Sequence, residues 1–484
     1  MTDAKIQRTA SGYIPLLYVA FYLSFFVITC TPVVANGQLL QNSPPPKIAT
    51  FHENKGITKA MEAGDVTSLG LILKSDLPPF TRIYARAAYY RTLFDLKRSS
   101  LYARRCLNGR LGNSVMDDDP AIITLCGELL AGNYSIQGDV RDWAAAALET
   151  RRKVTPVVEK LLGPVKFEIA GLGNTDFDKF TNFPGSYAAS SQHEVILERV
   201  TPPDFFTKRI VNSNHKVDHY ADARIPYIVK ININGSEKDV VLDSGSSMSL
   251  FRVAVAQRLG IVINPTPYIQ NIDVVTSNPR SPAQEAKSEN EAHLGLIKKM
   301  TLEGMGKVIH LENVPVAVGG HVDILGMNVL TKMDSILLTE RHLVLNVANR
   351  PNSCDEPLRI ASKSMGAYLL VLRYHIDGVM RNVMLDTGDN SYLSGTGSAH
   401  VSAVAKDYTA TTIYDLAGLD KTRYFKQGTT FGVGKLARHL KIRVYPDEHV
   451  TYGYVLGASA LRDFNVYINF KRRVACLEPL AKTL

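Results

Sequence analysis

The sequence predicts a multidomain protein, an α-helical N-terminal domain followed by two all-β lobes related by a pseudo-two-fold. Three observations predict it. Over residues 55–164, apolar side chains recur at three- and four-residue steps, the period of an amphipathic helix. From residue 225 to the end, short β-rich runs alternate with turn residues. That second region also repeats itself. "ININGSEKDVVLDSGSSMSL" (231–250) aligns without a gap on "YHIDGVMRNVMLDTGDNSYL" (374–393), at an offset of 143. Gly235 falls on Gly378, Asp243 on Asp386 and Gly245 on Gly388. A second shared phrase closes each half, "DILGMNVLTKMDSILLTERHLVL" (323–345) over "YVLGASALRDFNVYINFKRRVACL" (454–477), with Gly326 on Gly457 and Leu330 on Leu461.

Composition narrows the class. A chain of 484 residues exceeds one ordinary core. It is 45% hydrophobic and 21% charged, as globular proteins are. The net charge of +9 is spread along the chain, which fits a solvated, slightly basic surface. No RNP-like or zinc-finger pattern points to nucleic acid. No CxxC or HExxH points to zinc, and the twelve histidines are dispersed.

The elements follow in order. Residues 1–35 read as a signal peptide. Lys5 and Arg8 precede the apolar "IPLLYVAFYLSFFVITCTPVVA", and Val33-Val34-Ala35 supplies a cleavage point. An uncleaved N-terminal anchor is the other reading; Ile28-Thr29 before Cys30 fits a lipoprotein poorly. Either way export, periplasmic or secreted, follows. Residues 36–54 hold "NSPPPK" and read as a linker. Residues 55–164 are helical, with Pro156 interrupting the last helix and "LNGRLGN" and "LAGNYSIQGD" breaking earlier ones. The helix pairs loosely resemble tetratricopeptide-type repeats; a plain bundle is the alternative. Residues 165–224 read as a connector with strands at "KFEIA" and "HEVILERV". Residues 225–350 and 351–484 are the two lobes. Beyond the signal, Cys106, Cys126, Cys354 and Cys476 form an even set. Disulfides and buried thiols both remain open.

The repeated phrase is a specific way to present one carboxylate. An apolar strand locks it, the following hydroxyl can hydrogen-bond across to its twin, and glycine allows a tight turn and close backbone approach. One Asp-Ser/Thr-Gly is weak; two, each after a Gly-turn hairpin and before an apolar-apolar-Gly phrase, are strong. "GVGKLA" (432–437) matches a dinucleotide-binding pattern but precedes a strand, "RHLKIRV", not the helix such a site needs.

At these phrases the sequence resembles the retropepsin and pepsin group of aspartic proteases, over residues 225–482. The resemblance implies an exported aspartic endopeptidase in which both lobes share one cleft and Asp243 and Asp386 form the catalytic dyad. Ser244, Gly245, Ser246, Thr387 and Gly388 would support its geometry. Ile324-Leu325-Gly326 and Val455-Leu456-Gly457 would form the ψ-shaped crossings. The resemblance implies no metal and no cofactor. The substrate would be a peptide or protein bound extended, with the helical domain open to a protein partner. No nucleic acid is implied, and a membrane only through the N-terminal segment if uncleaved.

Departures from the family pattern matter. Ser246 would donate its hydroxyl to the outer oxygen of Asp243; Asp389, at the matching position, cannot donate that bond when ionised. Asp389 would turn to a backbone amide or basic residue, raise the pKa of the dyad, or mark a lobe free of catalytic demand. The flaps would lie within 270–297 and near 414–428, with Tyr414 and Tyr424 as candidates for the cleft. Two rivals stand beside the enzyme reading. One is a catalytically inactive retropepsin-like peptide-binding or scaffold module. The other is an enzyme whose lobes pair between chains.

Overall fold

The structure is a computed structural model. It describes residues 49–111, 114–115, 120–162, 176–189, 193–200, 227–267, 292–348, 354–363, 365–396, 409–415, 418–434, 436–445 and 453–480. The expected signal segment, "KFEIA" and most of the first flap lie outside them.

Six helices come first: α1 (Ala49–Glu62), α2 (Val66–Lys74), α3 (Pro79–Thr92), α4 (Leu96–Leu107), α5 (Pro120–Gln137) and α6 (Val140–Leu162). The short strands β1 (Arg110–Leu111) and β2 (Ser114–Val115) pair between α4 and α5. Three sequence expectations are corrected here. α1 begins inside the expected linker. α6 runs through Pro156, whose ring forfeits one ladder bond while Val154 beside it stays buried in the core. α5 runs through most of the expected break "LAGNYSIQGD" and ends at Gln137, so the break falls only on its last two residues, Gly138-Asp139. Within α5 Asn133 is buried, donating to Ser99 Oγ (2.8 Å) and accepting from Arg91 Nε (2.8 Å), so tertiary bonding holds the helix.

One turn recurs between these helices. Gly64, Phe94 and Gly138 each adopt a left-handed φ, of 65°, 54° and 71°. Asp65, Asp95 and Asp139 follow. Each Asp amide donates back to Ala60, Tyr90 or Tyr134, closing one helix as a Schellman turn. Each Asp carboxylate then accepts from the amide three residues on, capping the next helix. Phe94 lacks the freedom of glycine. Its ring repays that by packing on Tyr368 (6.2 Å) and Phe470 (5.9 Å) of the β region.

The rest of the chain forms two large β bodies. A 3-10 turn (Phe177–Phe180) packs on Trp143. Strands β3 (Tyr187–Ala189) and β4 (Val195–Val200) come from the expected connector but belong to the first sheet. The first body continues through β5 (Ile228–Ile233), β6 (Ser236–Leu242), β7 (Leu250–Phe251), α7 (Val253–Arg258), β8 (Val262–Pro267), β9 (His293–Gly304), β10 (Lys307–Val318), β11 (Ile324–Leu325), α8 (Met327–Leu330), β12 (Ser335–Leu338) and β13 (His342–Leu345). The second holds β14 (Arg359–Ser362), β15 (Tyr368–Ile376), β16 (Val379–Asp386), β17 (Leu393–Gly395), β18 (Thr409–Asp415), β19 (Gly418–Val433), β20 (Leu436–Val444) and β21 (Tyr454–Gly457); β22 (Phe464–Asn469) and β23 (Val474–Pro479) follow in the chain. The first sheet runs β5-β6-β11-β7-β10-β9-β8; the second runs β15-β16-β21-β17-β20-β19-β18. The hairpins β5–β6 and β15–β16 turn at Asn234-Gly235 and Asp377-Gly378, all with positive φ, the type I′ geometry that suits strand twist. Gly434 turns β19 into β20, so "GVGKLA" lies at a hairpin.

The C-terminal strands do not stay with their own half. β22 pairs antiparallel with β12, Ser335 facing Asn469 and Leu338 facing Val466, so the final hairpin extends the first sheet. Leu242, Phe251, Leu325, Leu385, Leu456 and Phe464 share one core. On the opposite face of the first sheet, Met248, Leu250 and Ile324 join the helical core with Leu129 and Trp143. The helical turns dock on both bodies. Asn382 Nδ2 donates to Ala63 O (2.9 Å), Arg473 pairs with Asp95, and Lys332 Nζ donates to Gln137 O (2.6 Å). Disulfides join Cys106 to Cys126 and Cys354 to Cys476, with Cα separations of 5.9 and 5.6 Å. Among the described residues no helix is long and apolar enough to cross a membrane.

Arg91 ties these layers together. It is fully buried, and its Nη2 donates to Leu129 O (3.0 Å) and its Nη1 to Lys363 O (2.9 Å). Burial pulls its pKa down to about 9. Replacing it with leucine strands several buried acceptors, each costing about 1–3 kcal/mol. Arg91→Leu is therefore expected to lower unfolding stability by at least about 3 kcal/mol, read from urea denaturation; a change under about 1 kcal/mol would contradict this role.

Candidate active site

Each of the two Asp-X-Gly phrases ends a strand beside a parallel neighbour. Val241 and Leu242 on β6 pair with Ile324 and Leu325 on β11, and Asp243 N donates to Leu325 O (3.1 Å). On the other side Met384, Leu385 and Asp386 pair with Val455, Leu456 and Gly457. The chain then folds back, β7 against β11 and β17 against β21. The glycine closing each apolar-apolar-Gly phrase lies under that returning loop. A Cβ on Gly326 would sit 2.7 Å from the Met248 carbonyl carbon, and one on Gly457 would overlap the carbonyl oxygens of Asp389 and Ser391.

Two hydroxyls lock the halves together reciprocally. Ser244 N donates to Thr387 Oγ1 (2.9 Å), and Thr387 N donates to Ser244 Oγ (3.0 Å). Thr387 Oγ1 in turn donates to Leu242 O (2.8 Å), and Ser244 Oγ to Leu385 O (3.2 Å). Each hydroxyl thus holds the residue just before the opposite Asp. Both side chains are buried, so these four bonds are shielded from water.

The exchange leaves the two carboxyls facing each other. A Cβ on Gly245 would lie 2.5 Å from Asp386 Cγ, and one on Gly388 would lie 2.7 Å from Asp243 Cγ. Only glycine fits at either place. Gly245 N donates to Asp243 Oδ1 (2.8 Å), and Gly388 N and Asp389 N donate to Asp386 Oδ1 (2.9 and 3.2 Å). Asp243 is buried and Asp386 half-buried, so the pair is enclosed yet keeps a path to solvent.

Electrostatics follow from that placement. Burial raises the pKa of Asp386 well above its usual range, and the charges of Asp243 and Asp389 push it further. Burial also raises Asp243, against a hydrogen bond from Asp386 and the amides of Gly245 and Ser246, while the charge of Asp389 adds to the rise. Both carboxyls are pushed upward, and two like carboxyls in direct contact resist double ionisation, so the pair gives up its last proton only above the usual carboxylate range.

Several expected residues stand elsewhere. Ser246 does not reach Asp243 with its hydroxyl; Ser246 Oγ donates to Met248 O (2.7 Å), because the loop turns it toward its own backbone. Asp389 turns away from the dyad. It accepts from Ser391 N (2.8 Å), Ser391 Oγ (2.8 Å) and Ser394 Oγ (3.0 Å). Tyr424 is 5% exposed, packed against Tyr445 (6.1 Å) with the Arg443 guanidinium 4.8 Å from its ring centre, so it belongs to the sheet rather than to an open cleft. Tyr414 lies on β18, the strand that ends the second sheet in a hairpin with β19.

Sequence reasoning missed other supports. Ser249 and Asn328 bond to each other (2.9 Å), and Asn328 Nδ2 reaches Pro315 O (2.7 Å), fixing the first loop. In the second half Tyr392 OH donates to Asp463 Oδ2 (3.0 Å), which Arg438 also holds. A serine, asparagine or tyrosine a few positions past a motif carries no sequence signal of such a bond. Among the described residues no three His, Cys, Asp or Glu side chains cluster as a metal site needs.

No family profile matches this chain, and no curated protein matches it. Among solved structures it is similar to a crystal structure of a retropepsin-like aspartic protease from Rickettsia conorii. The identity is 15%, over 33% of this chain and 92% of that chain, with a TM-score of 0.20. That likeness is slight, and the geometry above supports the reading that follows without it.

The buried pair predicts a pH signature in stability. A carboxyl whose folded pKa is raised favours folding below its unfolded value, near 3.8, and loses that contribution as pH climbs toward the folded value. Asp386→Asn is therefore expected to raise the melting temperature at neutral pH and to leave it unchanged near pH 3. Calorimetry across that range checks it; equal stability of both proteins at every pH would contradict the burial of an ionising pair.

Proposed function

We propose that this chain is an aspartic endopeptidase that hydrolyses peptide bonds with a water held between Asp243 and Asp386. One observation carries the reading: Ser244 and Thr387 exchange four hydrogen bonds that set two glycine-backed carboxyls face to face. The pairing of β12 with β22 supports a pseudo-two-fold relation of two protease-type lobes. Its register is the one that exchanging the two halves of the repeat would reproduce. Both carboxyls come from one chain, which favours a single-chain site over pairing between chains.

The chemistry follows from the shared proton. The ionised partner takes a proton from the bound water. The partner that keeps the shared proton donates to the peptide carbonyl and stabilises the tetrahedral oxygen. Collapse returns a proton to the leaving amine, and the roles exchange. The peptide would lie extended beside the β18–β19 hairpin, adding its backbone to strand edges. The two disulfides fit an exported, oxidising setting, and the apolar N-terminal segment supplies the route as signal or anchor. Against the rival, an inactive binding module, stands the bonding of Asp389 to Ser391 and Ser394 instead of to the paired carboxyls; the cleavage assay below separates the two.

Cleavage of an unfolded protein substrate tests the reading. Asp243→Asn and Asp386→Asn are each expected to lower kcat/KM by at least about 10²–10⁴; cleavage that survives either substitution refutes the dyad. Asp389 tunes the same pair. Its charge raises both dyad pKa values, so Asp389→Ser is expected to move both limbs of the pH–rate profile to lower pH. An unshifted profile would show that Asp389 is screened from the dyad.

A further inference from the structure

We propose that the face formed by α3 and α4 is a docking surface for an acidic polypeptide segment. Residues 79–107 hold seven Lys and Arg and a single acid, Asp95; Arg91 is buried, Arg82 pairs with Asp76 and Arg104 with Glu149, which leaves Arg86, Lys97, Arg98 and Arg105 on the exposed face. That acid is already engaged by Arg98 and Arg473. The basic side chains are organised by aromatic rings. Tyr90 and Tyr102 stack nearly parallel, 5.5 Å apart and 5° from coplanar. The Arg98 guanidinium lies 5.4 Å from the Tyr90 ring centre, and those of Arg86 and Arg105 lie 5.9 and 5.8 Å from that of Tyr102.

This arrangement costs something and leaves something free. Three guanidinium groups crowd two rings, a concentration of like charge on one exposed face. Stacking pre-orders each planar group, so less side-chain entropy is lost when an anion binds. Arg86, Arg98 and Arg105 are exposed, and among the described residues Arg86 and Arg105 form no ion pair. Their donor edges remain available for bidentate carboxylate contacts. Arg98 and Arg105 stand seven residues apart on one helix, about 10 Å by helical rise, and Arg86 faces Tyr102 from the neighbouring helix. Acidic side chains on one face of an extended peptide recur about every 7 Å, a spacing that bridges such groups.

The patch suits a peptide better than other anions. Two helices offer too few charges for the run of phosphate contacts that nucleic acid affinity depends on. Leu101, 49% exposed, is the large apolar side chain on α4 that reaches solvent, too little to enter a bilayer. The surface is independent of the dyad, so it can be tested whether or not the chain cleaves anything.

The test is fluorescence anisotropy on the full chain carrying Asp243→Asn, titrated into a short labelled Glu-rich peptide and into its Gln counterpart. The Glu peptide is expected to bind, to weaken as salt rises, and to exceed the Gln peptide by at least about tenfold. Arg86→Gln with Arg98→Gln and Arg105→Gln is expected to remove that difference. Arg86→Gln or Arg105→Gln alone, at exposed positions that keep the helical circular dichroism, is expected to weaken binding about two- to fivefold. Equal affinity for both peptides, or an unchanged affinity in the triple variant, overturns the proposal. Phosphatidylserine vesicles or duplex DNA that bind more tightly than the peptide overturn it as well.

Discussion

Everything at the centre of this molecule depends on a reciprocal bond exchange between Ser244 and Thr387. Two carboxyls with an ordinary charge would repel each other apart. Each hydroxyl accepts an amide from the opposite half and donates to the carbonyl that precedes the opposite Asp. The backbone is therefore fixed on both sides before the carboxyls are considered. The lack of a Cβ at Gly245 and Gly388 then lets each carboxyl close on the opposite loop. Proximity, enclosure and one retained proton are consequences of that backbone placement.

Larger elements serve the same constraint. β11 and β21 run parallel to the strands that carry the Asp residues and press their glycines under the returning loops. β22 pairs with β12, so neither body can move far without breaking the other's sheet. The helices close the outer faces. The turn at Ala63–Asp65 touches the second body, the turn at Phe94–Asp95 meets both Tyr368 of the second body and the final hairpin, and the turn at Gln137–Gly138 touches the first, where Lys332 and Ser186 meet it. Met248 sits both in the loop after Asp243 and in the helical core. The helical layer thus bears on the backbone that positions the first carboxyl.

Much of this was legible in the residues because repetition doubles a weak signal. Asp243 and Asp386, their hydroxyl and glycine neighbours and the apolar-apolar-Gly phrases stand where the gapless alignment sets them. Local periodicity also exposed the helices and the β-rich half. What escaped depends on partners distant in sequence. Asn133 holds a helix together across "LAGNYSIQ" because Arg91 and Ser99 meet it in space. Ser246 and Asp389 occupy equivalent positions, yet each bonds within its own loop, to Met248 in one case and to Ser391 and Ser394 in the other. Tyr424 looked like a cleft residue by its place between the phrases, but strand pairing put its ring against Tyr445. The crossing of β22 into the first sheet left no mark on composition at all.

The central claim is that the two carboxyls behave as one coupled acid. The most direct measurement is a carboxyl carbon-13 nuclear magnetic resonance titration of the aspartates, in the native chain and with Asp243 replaced by Asn. The account predicts two separated steps for the pair, one proton persisting well above the usual carboxylate range, and a fall of the Asp386 value once the Asp243 charge is gone. Two carboxyls that titrate together in the usual range, with Asp386 indifferent to the substitution, would contradict it.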